Sequence, residues 1–94
     1  MRFLNSKLKI ENTILQTIAK KYGTPAYCYS YKQLRENIND FKKNFKSISP
    51  LICFAIKSNT NLNLIKEIKK FGLGADVVSM GELMLALKAG ISPK

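Results

Sequence analysis

The second half of the chain alternates between two kinds of hydrophobic pattern. Leu51–Lys57 and Leu73–Ser79 are short, largely apolar segments of strand length. Each is followed by a helix-length segment, residues 61–71 and Gly81–Ala89, in which apolar side chains recur at helical spacing. The two strands begin at Leu51 and Leu73, 22 residues apart. This compact repeat predicts parallel strands that are joined by helical crossovers.

Two such strand–helix units cannot cover both edges and both faces of a parallel sheet. A complete eight-stranded barrel takes about 250 residues, whereas the chain has 94. Residues 91–94 have loop character where a third strand would be expected. We therefore expect an α/β fold that begins a larger barrel or doubly wound sheet, truncated after about two βα units. Residues 51–94 would form these units, and residues 1–50 would supply preceding helices and a short strand.

Within residues 1–50, the pattern predicts a helix over Asn12–Tyr22 and a short strand over Ala26–Tyr29. A second helix follows, with Leu34, Ile38, Phe41 and Phe45 along one stripe. Glycines mark the ends of three helices, and two Ser-x-x-Glu/Gln capping boxes mark the starts of two. The glycines are Gly23, Gly72 and Gly90, and the boxes are Ser30 with Gln33 and Ser79 with Glu82.

The net charge is +10, and 14 of the 16 cationic residues are lysines. These lysines are spread over every predicted helix, so the charge does not favour a nucleic-acid site, although a small basic binding module stays open as an alternative. No apolar run is long enough to span a membrane, and no signal peptide is evident at the N-terminus. We therefore expect a cytoplasmic protein with no membrane or nucleic-acid partner.

Absent and scarce residue types narrow the chemistry further. The chain has no histidine, which excludes histidine triads and histidine-ligated metals within it. Cys28 and Cys53 fit no metal-binding spacing, so we expect no metal site and interpret both as small buried side chains.

The apolar strand Leu51–Lys57 ends in a lysine, which is unusual because lysine is rarely buried. Strand alternation places Ala55 on the same face as Lys57, which leaves space beside the amine, and puts Phe54 and Ile56 on the opposite face. Asp76 has the corresponding late position on the next strand. A desolvated amine at the carboxyl end of a parallel strand can attack an aldehyde and form a Schiff base. The alternative is an edge lysine that reaches water.

Three motifs resemble a known family. They are Tyr-Gly-Thr-Pro-Ala-Tyr-Cys-Tyr-Ser (22–30), Phe-Ala-Ile-Lys-Ser-Asn-Thr-Asn (54–61) and Gly-Leu-Gly-Ala-Asp-Val-Val-Ser-Met-Gly-Glu-Leu (72–83), followed by Ala-Leu-Lys-Ala-Gly (86–90). In this order they resemble the N-terminal part of the diaminopimelate decarboxylases. That resemblance implies a fold-type III enzyme with an alanine-racemase-like (β/α)₈ barrel that binds pyridoxal 5′-phosphate (PLP).

The resemblance also implies roles for individual residues. Lys57 would be the catalytic lysine that forms a Schiff base with PLP, while Ala55 and Asp76 would lie beside the cofactor. The reaction would be decarboxylation of meso-2,6-diaminopimelate, an amino-acid substrate, to L-lysine in a homodimer. Glu82 is accounted for by its capping box, and Ser58, where the family often has alanine, by the turn after the strand.

Other parts of the family's site would lie beyond residue 94. They include the glycine-rich phosphate loop, the acidic partner of the pyridine nitrogen and the C-terminal β-domain. We therefore expect the 94 residues alone to be inactive. Three alternatives stay open: another basic amino-acid decarboxylase of the same fold (ornithine, arginine or carboxynorspermidine), the basic nucleic-acid-binding module, and a non-functional remnant.

Overall fold

The computed structural model describes residues 1–93 and divides the chain into two compact units, Met1–Lys43 and Asn44–Lys94. Within residues 44–93, strands and helices follow one another in βαβα order, as the sequence predicts. The boundary between residues 50 and 51 stays a prediction. Across residues 1–93, no helix is both long and apolar enough to cross a membrane.

The first unit opens with a small antiparallel sheet that sequence analysis did not predict. Its strands are β1 (Arg2–Leu4), β2 (Lys7–Ile10) and β3 (Thr13–Ile14), in that order across the sheet. The first turn has φ angles of 49° at Asn5 and 58° at Ser6, and the second has 51° at Glu11. Asparagine accepts this left-handed region more readily than most residues, so the Asn-Ser pair suits the first hairpin.

Helix α1 (Leu15–Tyr22) begins three residues later than predicted, because the two residues before it belong to β3. Gly23 ends it with φ at 83°, as its position predicts. The predicted strand Ala26–Tyr29 is wrong: these residues are irregular, and Tyr27 is 90% exposed. Aromatic residues favour strands only where cross-strand neighbours pack against them.

Helix α2 (Tyr31–Asn44) starts at its predicted cap, where the Gln33 amide donates to Ser30 Oγ at 3.0 Å. In a complete capping box the Gln33 side chain would also bond the backbone amide of Ser30. Here Gln33 Nε2 instead donates to Asn37 Oδ1 at 2.9 Å. The carboxylate of Glu11 also bonds the helix start, accepting from the Lys32 amide at 2.8 Å and from the Ser30 hydroxyl at 2.7 Å. The second hairpin turn is thereby bonded to the start of α2.

The apolar stripe that was predicted for α2 is only partly buried. Ile38 is buried, whereas Phe41 is 50% exposed. Phe45 follows the end of the helix and is 40% exposed.

The second unit contains a pair of parallel strands, β4 (Cys53–Ala55) and β5 (Gly74–Asp76), each followed by a helix. Both strands are shorter than predicted, and a 3₁₀ turn, Ile56–Ser58, takes over directly after β4. The helices α3 (Leu62–Lys70) and α4 (Met80–Lys88) lie within one residue of their predicted bounds.

One face of the parallel pair packs against the two helices. Ile56, Ile65 and Ala89 form a buried cluster, and both isoleucines are fully inaccessible to solvent. Partly buried side chains surround this cluster: Phe54, Leu62, Ala75, Val77, Leu85 and Ile91. The prediction that Phe54 and Ile56 lie on one face is therefore confirmed, and burial of these apolar side chains is the main stabilising term in the unit.

Candidate functional site

The face of the parallel pair opposite the buried cluster is made of small side chains. In register, Cys53 lies opposite Gly74 and Ala55 lies opposite Asp76. Residues opposite each other in a parallel ladder share a face, and alternation puts both pairs on the face that does not carry Phe54. The carboxyl end of this face therefore presents one methyl group and one carboxylate side by side.

Gly74 belongs to this face and was not singled out from the sequence. A Cβ atom added at Gly74 would lie 3.0 Å from the Cys53 sulfur, closer than ordinary side-chain packing permits without a shift. Glycine inside a strand commonly marks such a close approach, so the signal was present in the sequence.

Lys57 lies in the 3₁₀ turn immediately after β4, two residues beyond Ala55. It was predicted as the last strand residue. The strand instead ends at Ala55, and Ile56, which separates Ala55 from Lys57, is completely buried. Lys57 is exposed, so residues 1–93 do not shield its amine from water as the sequence analysis expects.

A series of short hydrogen bonds holds the turn that carries Lys57. The Ser58 hydroxyl donates to the Ala55 carbonyl at 2.7 Å, and the Asn59 amide donates to the Ile56 carbonyl at 3.0 Å. The Asn59 side chain in turn accepts from the Asn61 amide at 3.0 Å. The prediction that Ser58 belongs to the turn after the strand is confirmed, and the Asn59 side chain also contributes to this turn.

Asn61 continues the series into helix α3. Its side-chain oxygen accepts from the amides of Asn63 and Leu64, at 3.0 and 3.2 Å, and so caps the helix. Lys57 is therefore placed between a strand end and a capped helix start by polar contacts on both sides.

Asp76 is exposed at the end of β5. Its backbone lies opposite Ala55, so the structure brings Asp76 next to the strand end from which the Lys57 turn departs. In the described chain, residues 1–93, the two charged groups do not form an ion pair.

Glu82 has the structural role that its capping box predicts. The Glu82 amide donates to Ser79 Oγ at 3.2 Å, and its carboxylate accepts from the Val78 amide at 2.9 Å. The carboxylate thus reaches one residue further back than in the usual box, where it would bond the cap residue itself. These contacts fix the start of α4 directly after β5.

One other sequence interpretation is wrong. Cys28 and Cys53 were expected to be buried, but both are exposed free thiols. Tyr27 and Tyr29, on either side of Cys28, are also exposed, at 90% and 53%. For Cys53 the reason is its place on the small-residue face, opposite Gly74, which the helices do not cover.

Known proteins are similar to this chain in sequence and in fold. A family model described as the pyridoxal-dependent decarboxylase, pyridoxal binding domain, matches residues 31–94. A diaminopimelate decarboxylase from Aquifex aeolicus is 42% identical over all 94 residues, and one from Helicobacter pylori is 40% identical over 78 residues, or 83% of this chain. The chain spans only about a fifth of these relatives, 22% and 19% of their respective lengths.

Solved structures agree with the sequence relatives. A crystal structure from Aquifex aeolicus has a TM-score of 0.90 and 42% identity, and it covers 96% of this chain and 22% of that protein. A diaminopimelate decarboxylase structure from M. jannaschi also has a TM-score of 0.90, with 31% identity and the same coverage. The mixed α/β fold is thus that of an N-terminal portion of these proteins, and the chain belongs to the pyridoxal-dependent decarboxylase family through its pyridoxal binding domain.

Proposed function

We propose that this chain supplies the PLP-bearing lysine of a diaminopimelate decarboxylase, and that this lysine is Lys57. One observation carries the proposal: Lys57 lies in a hydrogen-bonded turn at the carboxyl end of β4, directly after the small-residue face. In parallel α/β folds, ligands bind at this end of the strands.

The residues present suit the aldehyde end of PLP. A lysine amine is the group that forms a Schiff base with a carbonyl, and the exposed Lys57 is free to meet one. The strand face next to Lys57 carries little side-chain volume. Gly74 has no side chain and lies close to Cys53, and Ala55 has a single methyl group, so there is space for a flat ring. Asp76 adds a negative charge at the same strand end.

PLP supplies an electron sink for the carbon that loses carbon dioxide. The residues of this chain would bind the cofactor and carry a proton. Lys57 would hold the cofactor, and its Nζ would move a proton at the reacting carbon.

We further propose meso-2,6-diaminopimelate as the substrate and L-lysine as the product. Support comes from relatives 37–44% identical to the matched part of the chain, all of which are named diaminopimelate decarboxylases. Because the chain spans about a fifth of their length, substrate contacts are expected from residues beyond it.

Assembly as a homodimer, a TIM-type barrel and a cytoplasmic location belong to the same proposal. Two exposed free thiols, Cys28 and Cys53, suit a reducing compartment, where such thiols persist. The exposed apolar residues Leu51, Val78 and Met80 in the second unit suit burial by further barrel elements.

A chimera tests the proposal. Residues 1–94 replace the matching segment of the Aquifex aeolicus diaminopimelate decarboxylase, which is 42% identical over that segment. With PLP added, the chimera should release carbon dioxide from meso-2,6-diaminopimelate. Lys57→Ala should abolish the release, whereas Lys66→Ala, which removes an exposed lysine of α3, should preserve it.

The same assay separates the alternatives. Release from ornithine, arginine or carboxynorspermidine in preference to diaminopimelate would overturn the substrate. Full activity of the Lys57→Ala chimera would overturn the role of the lysine.

A further inference from the structure

We propose that Ser58 is a positioning residue that sets the conformation of Lys57 through its hydrogen bond to the Ala55 carbonyl. The inference rests on the proposed function of Lys57 and adds a residue to it. At 2.7 Å this is among the shortest hydrogen bonds that the structure gives for the second unit.

The hydrogen bond between Ser58 and Ala55 spans Lys57. Its acceptor is the carbonyl of the last residue of β4, and its donor is the side chain that follows Lys57. The backbone between them, Ile56 and Lys57, is thereby closed into a ring in addition to the 3₁₀ bond from the Asn59 amide to the Ile56 carbonyl. Two overlapping rings restrict the turn more than one, and a restricted turn limits where the Lys57 amine can go.

Burial anchors only one side of this turn. Ile56 is fully buried in the cluster beneath the helices, whereas Lys57 and Ser58 are both exposed. The exposed half is therefore held by hydrogen bonds and not by packing. Removing the Ser58 hydroxyl should loosen the turn around Lys57 while the Ile56 anchor and the fold remain.

Alanine at this position would lack the hydroxyl and could not make the bond, so Ser58 gives the turn a restraint that an alanine variant would lose. The neighbouring restraints, the Asn59 and Asn61 side chains, act on the far side of the turn and do not reach the Ala55 carbonyl.

The experiment compares wild type, Ser58→Ala and Ser58→Thr in the 94-residue chain. Amide hydrogen exchange at Asn59 reports the turn directly, and exchange at Ile65 in α3 serves as the control for the fold. We expect exchange at Asn59 to be about fivefold faster in Ser58→Ala, the effect of losing one ordinary hydrogen bond. Ser58→Thr keeps a hydroxyl and should restore the wild-type rate, and exchange at Ile65 should not change.

The link to Lys57 is measured by trapping with PLP. For this measurement each sequence is placed in the Aquifex aeolicus chimera, which supplies the parts of the cofactor site that this chain lacks. Each chimera is incubated with PLP, the C=N bonds are reduced with borohydride, and pyridoxyl-lysine is quantified at Lys57 relative to Lys66, an exposed lysine of the same unit. We expect the Lys57 to Lys66 ratio to exceed one in wild type, to fall at least twofold in Ser58→Ala, and to recover in Ser58→Thr.

The outcomes separate the two claims. A wild-type ratio above one that is unchanged in Ser58→Ala overturns the positioning role and leaves the proposed function of Lys57 standing. A wild-type ratio of one or less counts against both. An equal fall in Ser58→Ala and Ser58→Thr would show that side-chain size, and not the hydroxyl, is responsible, and would also overturn the positioning role.

Discussion

Ala55 lies directly opposite Asp76 across the parallel pair β4–β5. Adjacent strands are about 4.8 Å apart, so this register places a carboxylate one strand away from the residue at which the Lys57 turn begins. The pairing joins two segments that are 21 residues apart in sequence, residues 55 and 76. It is the geometric basis for treating Lys57 and Asp76 as parts of one site.

The small-residue face is sensitive to added volume at Gly74. We expect Gly74→Val to lower the free energy of unfolding by about 1–3 kcal/mol, because even its Cβ would lie 3.0 Å from the Cys53 sulfur. Adding Cys53→Ala in the same chain should recover part of the loss. Urea unfolding of the single and double variants measures this coupling.

Gly81→Ala is the matched control for that experiment. A Cβ at Gly81 would meet only Ser79 Oγ, at 3.9 Å, and the residue lies in helix α4. Gly81 is the second residue of the helix, so the substitution should leave the free energy of unfolding unchanged or raise it by less than about 1 kcal/mol, since alanine forms helices more readily than glycine. Equal destabilisation by Gly81→Ala and Gly74→Val would contradict the steric account of the face.

Asn61 is the cap of α3, and its removal should weaken the element that follows the Lys57 turn. Asn61→Ala deletes an acceptor of two backbone amides, at 3.0 and 3.2 Å, and should cost about 1 kcal/mol of stability. Thermal or urea unfolding measures the change. Asn63→Ala, at an exposed position in the first turn of the same helix, should change the stability by less than about 0.5 kcal/mol, and a reversed order of the two effects would refute the cap.

The Glu11 carboxylate makes the stability of the first unit depend on pH. The hydrogen bond from the Lys32 amide, followed by that from the Ser30 hydroxyl, lowers the pKa of Glu11 below its ordinary value of 4.5, and the charges of Lys32 and Arg35 act in the same direction. A lowered folded-state pKa means that the stabilisation is present above the unfolded-state pKa. It is lost as the pH falls through the folded-state value.

We therefore expect Glu11→Gln to be less stable than wild type at neutral pH and to match it at strongly acidic pH. Stability curves of both proteins from pH 7 down to pH 2 measure the difference, and a side-chain NMR titration gives the pKa of Glu11. A difference that stays constant over the whole range would show that the charge of Glu11 is not the stabilising feature.

The 94 residues by themselves should not decarboxylate diaminopimelate. Residues 1–93 contain one pair of parallel strands, and the chain spans only 22% of the Aquifex aeolicus relative. Carbon dioxide release from the purified chain with PLP should equal that of a Lys57→Ala control. Release that depends on Lys57 in the isolated chain would disprove this expectation.

The second unit could be predicted well because its signals are local and agree with one another. Gly72 and Gly90 follow helix ends with φ at 74° and 88°, Ser79 caps a helix, and Ile65 and Ile68 are buried at helical spacing. Each of these local signals indicates the same boundaries between strands and helices. The strand ends were less accurate, because the sequence does not show where the 3₁₀ turn at Ile56 replaces strand geometry.

The first unit was harder because its structure depends on pairing between segments. Lys7-Leu8-Lys9-Ile10 does alternate polar and apolar residues, and the Asn-Ser turn precedes it, so a hairpin signal was available. Glu11 could not be assigned to the start of α2 from the sequence, because its two contacts there are 19 and 21 residues away. At the candidate site, the sequence predicted Lys57, Ala55 and Asp76 but not the Ser58 hydrogen bond, which is a matter of side-chain rotamer.

The central claim is that Lys57 is the lysine that holds PLP, and reductive trapping in the chimera tests it most directly. The chimera is loaded with PLP, reduced with borohydride, digested and mapped by mass spectrometry. We predict one pyridoxyl group per chain, on Lys57, and its loss in Lys57→Ala. A pyridoxyl group on another lysine of wild type, or undiminished trapping in Lys57→Ala, would contradict the account.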